Sequence, residues 1–482
     1  MSDTEGSKME ALLCWAAHIG ISDDPSPAPS SSIPSSSCLG HSLVVSHFSD
    51  AGGRGLAASR NLRMGELILR VPRAALFTKQ NVLHDEKLAS CVNKHPNLSP
   101  SQKLTICLLA EVAKGRGSWW YRYLVLLPSS YDTLPNFHEF EIQALQVEDA
   151  IWVSENAIVK ARSDWKESLI VMQEMVVKPQ LLSFRSWLWA SATISSRTLF
   201  IPWDDAGCLC PVGDLFNYAA PDDKSCAEGS QVEGHEVKEL TELADSNTQR
   251  LTDGGYEESS ASYCFYAKRN YKKGEQVLLS YGTYSNLDLL EHYGFLLSTN
   301  PNDKAFLQLD IDVNISNTWA KDLLYIQPDG KPSFALLCAL RLGATPMNLR
   351  RSLGRLAYAG FLLSNENEAI VMKKLAKRCC MVLEDFPTTI KDDVSLLSVM
   401  DKILNFSTCF DRLDLAFCRE EFVGFMQANG LQGESLLDTT LLSAKALRSL
   451  ERWRLAVRWR LCYKKILSNC ISYCSKVMSE MS

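Results

Sequence analysis

Two short motifs, at residues 211–218 and 278–295, constrain the fold more than any other feature of the sequence. The first, PVGDLFNY, contains an Asp-x-x-Asn pattern, and the second, LLSYGTYSNLDLLEHYGF, contains Tyr-Gly-x-x-Ser-Asn. Between them lies an acidic, aromatic-poor segment, about 222–259, which is typical of a solvated insertion loop rather than a domain. Each motif alone is common in turns and strands, so their combination is the informative feature.

Composition excludes several classes of protein. The chain has 482 residues, of which 46% are hydrophobic, enough for two or three domains that each bury a core. A net charge of −6 argues against nucleic-acid binding through a global basic field, and no apolar run reaches the ~18 residues of a membrane helix. The first residues, MSDTEGSKME, are acidic and lack arginine, unlike a transit peptide. We expect an intracellular protein of the cytoplasm or nucleus, with the plastid kept as an alternative.

Sixteen cysteines are scattered through apolar runs, for example at Cys107, Cys338 and Cys462. They show no disulfide framework, and the N-terminus has no signal-peptide pattern, so we interpret them as reduced and mostly buried thiols. The pairs Cys208–Cys210 and Cys379–Cys380 lack the second half of a zinc site at usable spacing. The sequence therefore predicts no metal centre.

The periodicity of apolar residues predicts an α+β protein. A helix at 8–20 precedes a Ser/Pro tract, and short strands with hairpin turns follow from Cys38. A further hairpin is predicted at 261–282, with its turn at 272–274. The predicted organisation, in chain order, is an N-terminal helix and Ser/Pro-rich loop (1–37), a β-rich domain (38–297) with a helical insert (about 85–200) and the disordered acidic loop (about 222–259), and a helical C-terminal domain (305–482).

Together with GGRGLAASRNLRMGE at 52–66, the two motifs resemble those of the SET-domain protein methyltransferases. The resemblance is to the branch typified by the Rubisco large-subunit lysine methyltransferase, and it extends from Cys38 to the C-terminus. The segments SWLWASATISSRT and GCLCPVGDLFNY are similar to those of a plant member of this branch. The resemblance implies a split SET domain followed by a helical substrate-binding domain. It also implies methyl transfer from S-adenosylmethionine to a lysine of a protein substrate other than a histone.

The resemblance also implies a cofactor site. A glycine turn grips the methionine part of the cofactor, an arginine borders the pocket, and an asparagine amide both donates to the cofactor carboxylate and accepts from its ammonium. The residues in these positions are Gly52, Gly53, Arg54, Arg197, Asp214, Asn217, Tyr218 and Tyr281. The alternatives are a plain hairpin turn, a helix-capping arginine, a self-capped turn and a core strand tyrosine. Tyr218 departs from the family, which has histidine there, and the departure puts cofactor affinity and turnover in question.

By the same resemblance Tyr281 and Tyr293 are the catalytic residues, and Leu199, Phe200, Tyr293 and Phe295 line the side of the target nitrogen. A lysine amine must be neutral to attack, and its ordinary pKa of about 10.4 makes deprotonation cost about 4–5 kcal/mol at pH 7. Aromatic and aliphatic walls lower that pKa by desolvating the ammonium. A histidine target would need a polar group to orient its ring, and Leu199 and Gly213 offer none, so the sequence favours lysine.

The C-terminal helix carries many basic residues, with Trp453 and Trp459 among them; they are Lys445, Arg448, Arg452, Arg454, Arg458, Arg460, Lys464 and Lys465. Such a helix binds acidic partners, calmodulin or nucleic acid, or is the solvated face of a packed helix. Two rival hypotheses therefore stand beside the enzyme. One is a catalytically inactive SET module that acts as a protein-binding adaptor, supported by Tyr218. The other is a nucleic-acid-binding protein, against which the net charge argues.

Overall fold

The computed structural model describes residues 3–25, 36–48, 53–175, 177–221, 253–307, 319–405, 419–431 and 442–481. Its strands are short and fall mainly in the N-terminal half of the chain. They are β1 (Leu43–Phe48), β2 (Gly53–Ala58), β3 (Leu67–Pro72), β4 (Thr198–Ile201), β5 (Asp204–Leu209), β6 (Asn217–Tyr218), β7 (Gly254–Glu257), β8 (Ser262–Tyr266), β9 (Leu278–Leu279), β10 (Ala305–Phe306) and β11 (Tyr325–Ile326).

Helices fill the predicted insert and most of the C-terminal half. They are α1 (Asp3–His18), α2 (Lys79–Val82), α3 (Glu86–Asn93), α4 (Pro100–Lys114), α5 (Tyr121–Leu124), α6 (Glu139–Gln143), α7 (Glu148–Glu174), α8 (Phe184–Arg197), α9 (Asn286–His292), α10 (Phe334–Ala344), α11 (Met347–Tyr358), α12 (Asn365–Asp385), α13 (Ile390–Leu404), α14 (Arg419–Ala428) and α15 (Ala444–Met481). The chain divides into two compact units, residues 1–131 with 158–283 and residues 132–157 with 284–482.

Local sequence signals set several of these bounds. Helix α4 begins at Pro100 because Ser99 and Gln102 form a reciprocal capping box, and it ends where Gly115 adopts φ +55°. The predicted hairpin after Cys38 is present, since β1 pairs antiparallel with β2 from Leu43↔Ala58 to Phe48↔Gly53. The residues of the turn between these strands, 49–52, lie outside the described part of the chain, and Gly52 with them.

The predicted hairpin at 261–282 is wrong. Strand β8 pairs antiparallel with β3 and β7, whereas β9 pairs in parallel with β6. The intervening segment bonds instead to the chain after β2, through Ala58 N to Glu275 O (2.9 Å) and Leu62 N to Tyr271 O (2.9 Å). Strand β7 also lies inside the segment predicted as a loop, because its backbone completes the sheet β3–β8–β7. Residues 222–252 of that predicted loop lie outside the described part of the chain.

The second unit recruits a piece of the predicted helical insert, residues 132–157, and the boundary falls within α7. The physical cause is a cluster of aromatic rings around Trp453, whose centroid lies 5.1 Å from Phe140, 5.0 Å from Phe422 and 5.1 Å from Phe425. Large buried aromatic side chains contribute strongly to a core. The second unit is therefore discontinuous in sequence. Its described residues are mainly helical and include the short strand pair β10–β11.

Of the eight basic residues between Lys445 and Lys465 of α15, three are buried inside the second unit. Arg460 and Lys464 are each about 1% exposed and contact the two carboxylate oxygens of buried Asp393 at 2.7 Å. Arg452 is also buried and pairs with Glu141 at 3.5 Å. Three of the basic residues therefore neutralise buried carboxylates, which neither the solvated-face nor the partner-binding hypothesis anticipates.

The described cysteines carry free thiols, and no group of three or more potential metal ligands is found among the described residues. Within the same residues no helix is long and apolar enough to cross a membrane.

Candidate active site

The Asp-x-x-Asn motif forms a strained turn in the first unit. Val212 adopts φ +68°, a left-handed conformation that is unfavourable for a β-branched residue and costs about 1–3 kcal/mol. A single turn of 3₁₀ helix, Gly213–Leu215, follows, and Asp214 N donates to Cys210 O at 2.9 Å. The chain then enters β6, whose parallel pairing sets Asn217 opposite Leu278. This register brings the first motif against the strand that leads into Tyr281.

Asp214 is the centre of a buried polar network. Its Oδ2 accepts from the Tyr123 hydroxyl at 2.8 Å and from Arg197 Nη1 at 3.1 Å. Arg197 Nη1 also donates to the Asp214 carbonyl at 3.0 Å, and Arg197 Nε donates to the Tyr131 hydroxyl at 3.2 Å. Arg197 and Asp214 therefore meet as neighbouring parts of one site, and their described contacts hold the strained turn in place.

The charges of this network shift two pKa values. Burial, followed by the negative charge of Asp214, raises the pKa of Tyr123 well above its ordinary value, so Tyr123 stays a hydrogen-bond donor. Burial has the largest single effect on Arg197 and would lower its pKa, but the charge of Asp214 together with Tyr131 and Tyr123 outweighs burial and raises that pKa. At neutral pH Tyr123 is therefore a neutral phenol and Arg197 a cation.

The glycine turn and the asparagine lie against each other. Asn217 Nδ2 donates to the Arg54 carbonyl at 3.3 Å, and a Cβ on Gly55 would lie 2.5 Å from that nitrogen. The Nε2 of Gln276, 3.1 Å from the same Cβ position, is buried and has no hydrogen-bond partner among the described residues. Gly53 takes φ +96°, as a glycine turn requires. A compact set of amide and backbone groups is thus assembled beside Asn217.

The Arg54 side chain points away from this set, as its contacts show. Its Nη2 donates to Leu126 O at 2.8 Å, and its Nη1 pairs with Glu5 of α1 at 3.3 Å. The part of Arg54 that bonds to Asn217 is its backbone carbonyl and not its side chain. This agrees with a turn that acts through backbone groups.

Tyr218 and Tyr281 lie side by side, with ring centroids 5.2 Å apart. The Tyr281 hydroxyl donates to the Phe216 carbonyl, and the Tyr218 hydroxyl donates to the Gly282 carbonyl at 2.8 Å. Tyr218 is buried, at 7% exposure. The tyrosine at the family's histidine position therefore fits the fold, with a backbone acceptor for its hydroxyl.

The four residues predicted to face the target nitrogen are divided between the two units. Leu199 is buried on β4 and Phe200 is 47% exposed, because consecutive residues of a strand face opposite sides. Tyr293 and Phe295 belong to the second unit, where Tyr293 packs 5.4 Å from Tyr284 and 6.0 Å from Phe295, centroid to centroid. Their role beside the target stays a prediction.

Three further residues belong to this candidate site but are not predicted by any sequence motif: Tyr123, Tyr131 and Gln276. The first two stand in and just after the aromatic run 119–128, whose density of tyrosine and tryptophan predicts a core but not hydroxyls aimed at Asp214. Gln276 follows a charged turn and carries no local signal. Only the packing of α5 and of the segment after it, and the pairing of Gln276 with a distant strand, reveal these roles.

Comparisons with known proteins show which family the chain resembles. Two family models match the chain, SET domain over residues 53–282 and Rubisco LSMT substrate-binding over residues 287–421. The chain is 49% identical over 493 residues to Protein SET DOMAIN GROUP 40 of Arabidopsis thaliana, covering 99% of this chain and 98% of that protein. Actin-histidine N-methyltransferase of Gallus gallus is 25% identical over 388 residues, which are 72% of this chain and 59% of that protein.

SET domain-containing protein 4 of Mus musculus is 26% identical over 69% of this chain and 75% of its own length. Among solved structures, Rubisco LSMT bound to AdoMet aligns with a TM-score of 0.57 at 19% identity, covering 98% of this chain and 93% of that one. These findings confirm the predicted α+β fold class and the resemblance to the SET-domain methyltransferases.

Proposed function

The chain belongs to the SET-domain family, and from that premise we propose that it is a protein-lysine N-methyltransferase that uses S-adenosylmethionine. The observation that carries the proposal is the junction of β6 and β9. It sets the Asp-x-x-Asn turn beside Tyr281, whose hydroxyl donates to Phe216 O. Residues far apart in sequence thereby form one polar and aromatic site.

The described residues fit the amino-acid end of this cofactor. Asn217 offers both an amide donor and an acceptor, and Gln276 Nε2 is a buried donor without a described partner. The backbone of Gly53 and Arg54 lies next to them. When bound, S-adenosylmethionine supplies a methyl group already activated by its sulfonium, so the chain need only hold and orient the reactants.

Tyr281 orients the target amine. Its hydroxyl gives its single proton to the Phe216 carbonyl, so the phenolic oxygen offers lone pairs to an incoming N–H. An amine that donates an N–H to Tyr281 keeps its own lone pair for the attack. The adjacent aromatic ring of Tyr218 desolvates the amine and lowers its pKa, which favours the neutral nucleophile.

Histidine is a second candidate target, because relatives at 25% identity are named actin-histidine N-methyltransferases. Lysine is favoured by the residues predicted to border the target. Leu199 has no polar group, and Gly213 has no side chain and no room for one, since a Cβ there would lie 2.7 Å from Cys210 Sγ. An imidazole therefore finds no orienting partner among them.

The test uses the purified full-length chain, isotopically labelled S-adenosylmethionine and a cell extract, followed by hydrolysis of the labelled protein. We expect labelled methyl-lysine, and we expect Tyr281→Phe to lower the rate about 10²-fold or more while cofactor affinity changes little. If the hydrolysate contains labelled methylhistidine in place of methyl-lysine, the target residue is histidine.

Tyr271→Phe is the matched control, because the Tyr271 hydroxyl also donates to a backbone carbonyl, Leu278 O at 3.4 Å. It should keep the wild-type rate. If calorimetry detects no binding of S-adenosylmethionine or S-adenosylhomocysteine to the wild type, the enzyme hypothesis fails and the protein-binding adaptor takes its place.

A further inference from the structure

A stripe on α11 combines exposed apolar and basic side chains. Met347, Arg351, Arg355 and Tyr358 follow one another at intervals of four, four and three residues, the spacing of one helix face. All four are exposed, Met347 at 76% and Tyr358 at 41%. A helix of a folded domain ordinarily buries the large apolar side chains that it carries, so this stripe calls for a partner.

Two further apolar side chains extend the stripe. Phe334 is 55% exposed and Phe361 is 61% exposed. The ring of Trp319 lies 6.1 Å from Phe334 and 6.1 Å from Tyr358, centroid to centroid, so the helix face continues into this aromatic group. We call Phe334, Met347, Arg351, Arg355, Tyr358 and Phe361 the α11 patch.

The α11 patch stands on a rigid base. Buried Arg341 forms a two-pronged pair with Glu368, at 2.7 and 2.8 Å, and its Nη1 donates to the carbonyls of Gly360 and Phe361 at 2.8 and 3.3 Å. Gly360 takes φ +79°, and a Cβ there would lie 2.7 Å from the Phe334 ring. The turn that presents Phe361 is thus fixed from inside, which reduces the entropy lost when a partner binds.

The charge of the patch has one sign. Residues 346–363, PMNLRRSLGRLAYAGFLL, contain three arginines and no acidic residue. Within the part of the chain that the structure describes, Arg351 and Arg355 form no ion pair. An apolar partner alone would desolvate two guanidinium groups at a cost, whereas a partner with carboxylates compensates for it.

We propose that the α11 patch docks an acidic protein segment that carries apolar anchor residues between its Asp and Glu side chains. A protein partner is favoured over a lipid surface because the patch lies in the region matched by the substrate-binding family model, residues 287–421. The partner is the methylation substrate only if the proposed function holds. The docking itself needs neither cofactor nor turnover.

The probe is a synthetic helical peptide with Leu and Phe at every third or fourth position and Glu between them, titrated into the full chain by fluorescence anisotropy. The same peptide with Lys in place of Glu is the charge-reversed probe. We expect the acidic peptide to bind saturably and the basic one at least about tenfold more weakly. Arg351→Glu/Arg355→Glu should invert this preference, and Phe361→Ser should weaken binding of both peptides.

The matched control is Lys373→Glu/Lys377→Glu, which makes the same charge change at the same spacing on exposed positions of α12. It should leave the peptide preference intact. If the control inverts the preference as strongly, the effect is global charge and the patch is no docking site. Absence of saturable binding would overturn the proposal, and so would binding of anionic vesicles that Arg351→Glu/Arg355→Glu abolishes while peptide binding stays unchanged. None of these outcomes bears on whether Tyr281 supports methyl transfer.

Discussion

Both units contain buried ion pairs, but the pairs have different roles in the two units. In the first unit, Asp214 and Arg197 hold a turn that contains the strained Val212 and leads to Asn217. Near Asn217 lies Gln276 Nε2, a buried donor with no partner among the described residues. In the second unit, Asp393 lies between Arg460 and Lys464 and ties helices together. Buried charge is common to both regions, so it does not mark a site. The second unit also has a strained residue beside its buried charges, Gln146 at φ +60°, which accepts from Lys464 Nζ at 3.3 Å. The turn at 212–218 differs in that its strained residue, Val212, is β-branched and therefore tolerates a positive φ less readily.

The largest expected effect belongs to the second unit. Asp393→Ala leaves Arg460 and Lys464 buried without their shared carboxylate, which should destabilise the unit by about 3–5 kcal/mol. Thermal unfolding followed by tryptophan fluorescence measures the loss. Cofactor affinity per folded molecule should stay within about twofold of wild type, since this network carries no ligand group.

Asp401→Ala is the companion variant. Asp401 pairs with Arg454 at 2.6 Å, but the two side chains are 46% and 32% exposed, and such surface pairs contribute about 0–1 kcal/mol. A loss as large as that of Asp393→Ala would contradict the claim that burial sets the cost.

Gly55→Ala should affect the site of the first unit most directly. The new Cβ would lie 2.5 Å from Asn217 Nδ2 and must displace that amide. We expect cofactor affinity to fall about tenfold or more, with a loss of about 1–3 kcal/mol in stability from overpacking. Titration calorimetry with S-adenosylhomocysteine measures the affinity.

Gly117→Ala tests the same substitution in open space, because no atom lies within 4 Å of its Cβ position. Its affinity should equal that of wild type. If Gly55→Ala and Gly117→Ala bind S-adenosylhomocysteine with equal affinity, Asn217 is not part of the cofactor site.

Tyr123→Phe probes the support of the strained turn. The variant removes a 2.8 Å hydrogen bond to the buried carboxylate of Asp214 and should cost about 1–3 kcal/mol. Because the folded pKa of Tyr123 is raised, wild type keeps this contribution below the ordinary phenol pKa of about 10 and loses it as the pH rises above that value.

The variant lacks this titration, so its stability should fall less steeply above pH 10. Paired urea unfolding curves at pH 8 and above pH 10 measure the difference. Equal alkaline losses would show that Tyr123 does not stay protonated in the fold.

The same contrast explains how far the sequence predicts the molecule. Tyr281 and Asn217 stand in motifs whose residue types and spacing are local, so the sequence predicts them as site residues. Gln276 and Tyr123 join the site only through strand pairing and helix packing, which no local pattern encodes. The basic stripe of α15 did not predict that Arg460 and Lys464 are buried, for a related reason. Helical spacing shows that these two residues lie close to each other, but it does not show that Asp393 faces them.

The smallest expected effect concerns Tyr218, the departure from the family pattern. Tyr218→Phe keeps the ring beside Tyr281 and removes the hydrogen bond to Gly282 O, which should cost about 1 kcal/mol. Gly282 takes φ +133° and directly follows Tyr281, so loosening it should lower the methylation rate severalfold while cofactor affinity is kept.

Tyr218→His places the family's residue there, with a ring nitrogen able to donate. If the histidine variant recovers the rate and the phenylalanine variant does not, Tyr218 acts by holding Gly282. If Tyr218→Phe is as fast as wild type, the Tyr218 hydroxyl contributes to stability alone. In that respect it would resemble the buried charges around Asp393 in the second unit, which are expected to stabilise the fold without serving the site.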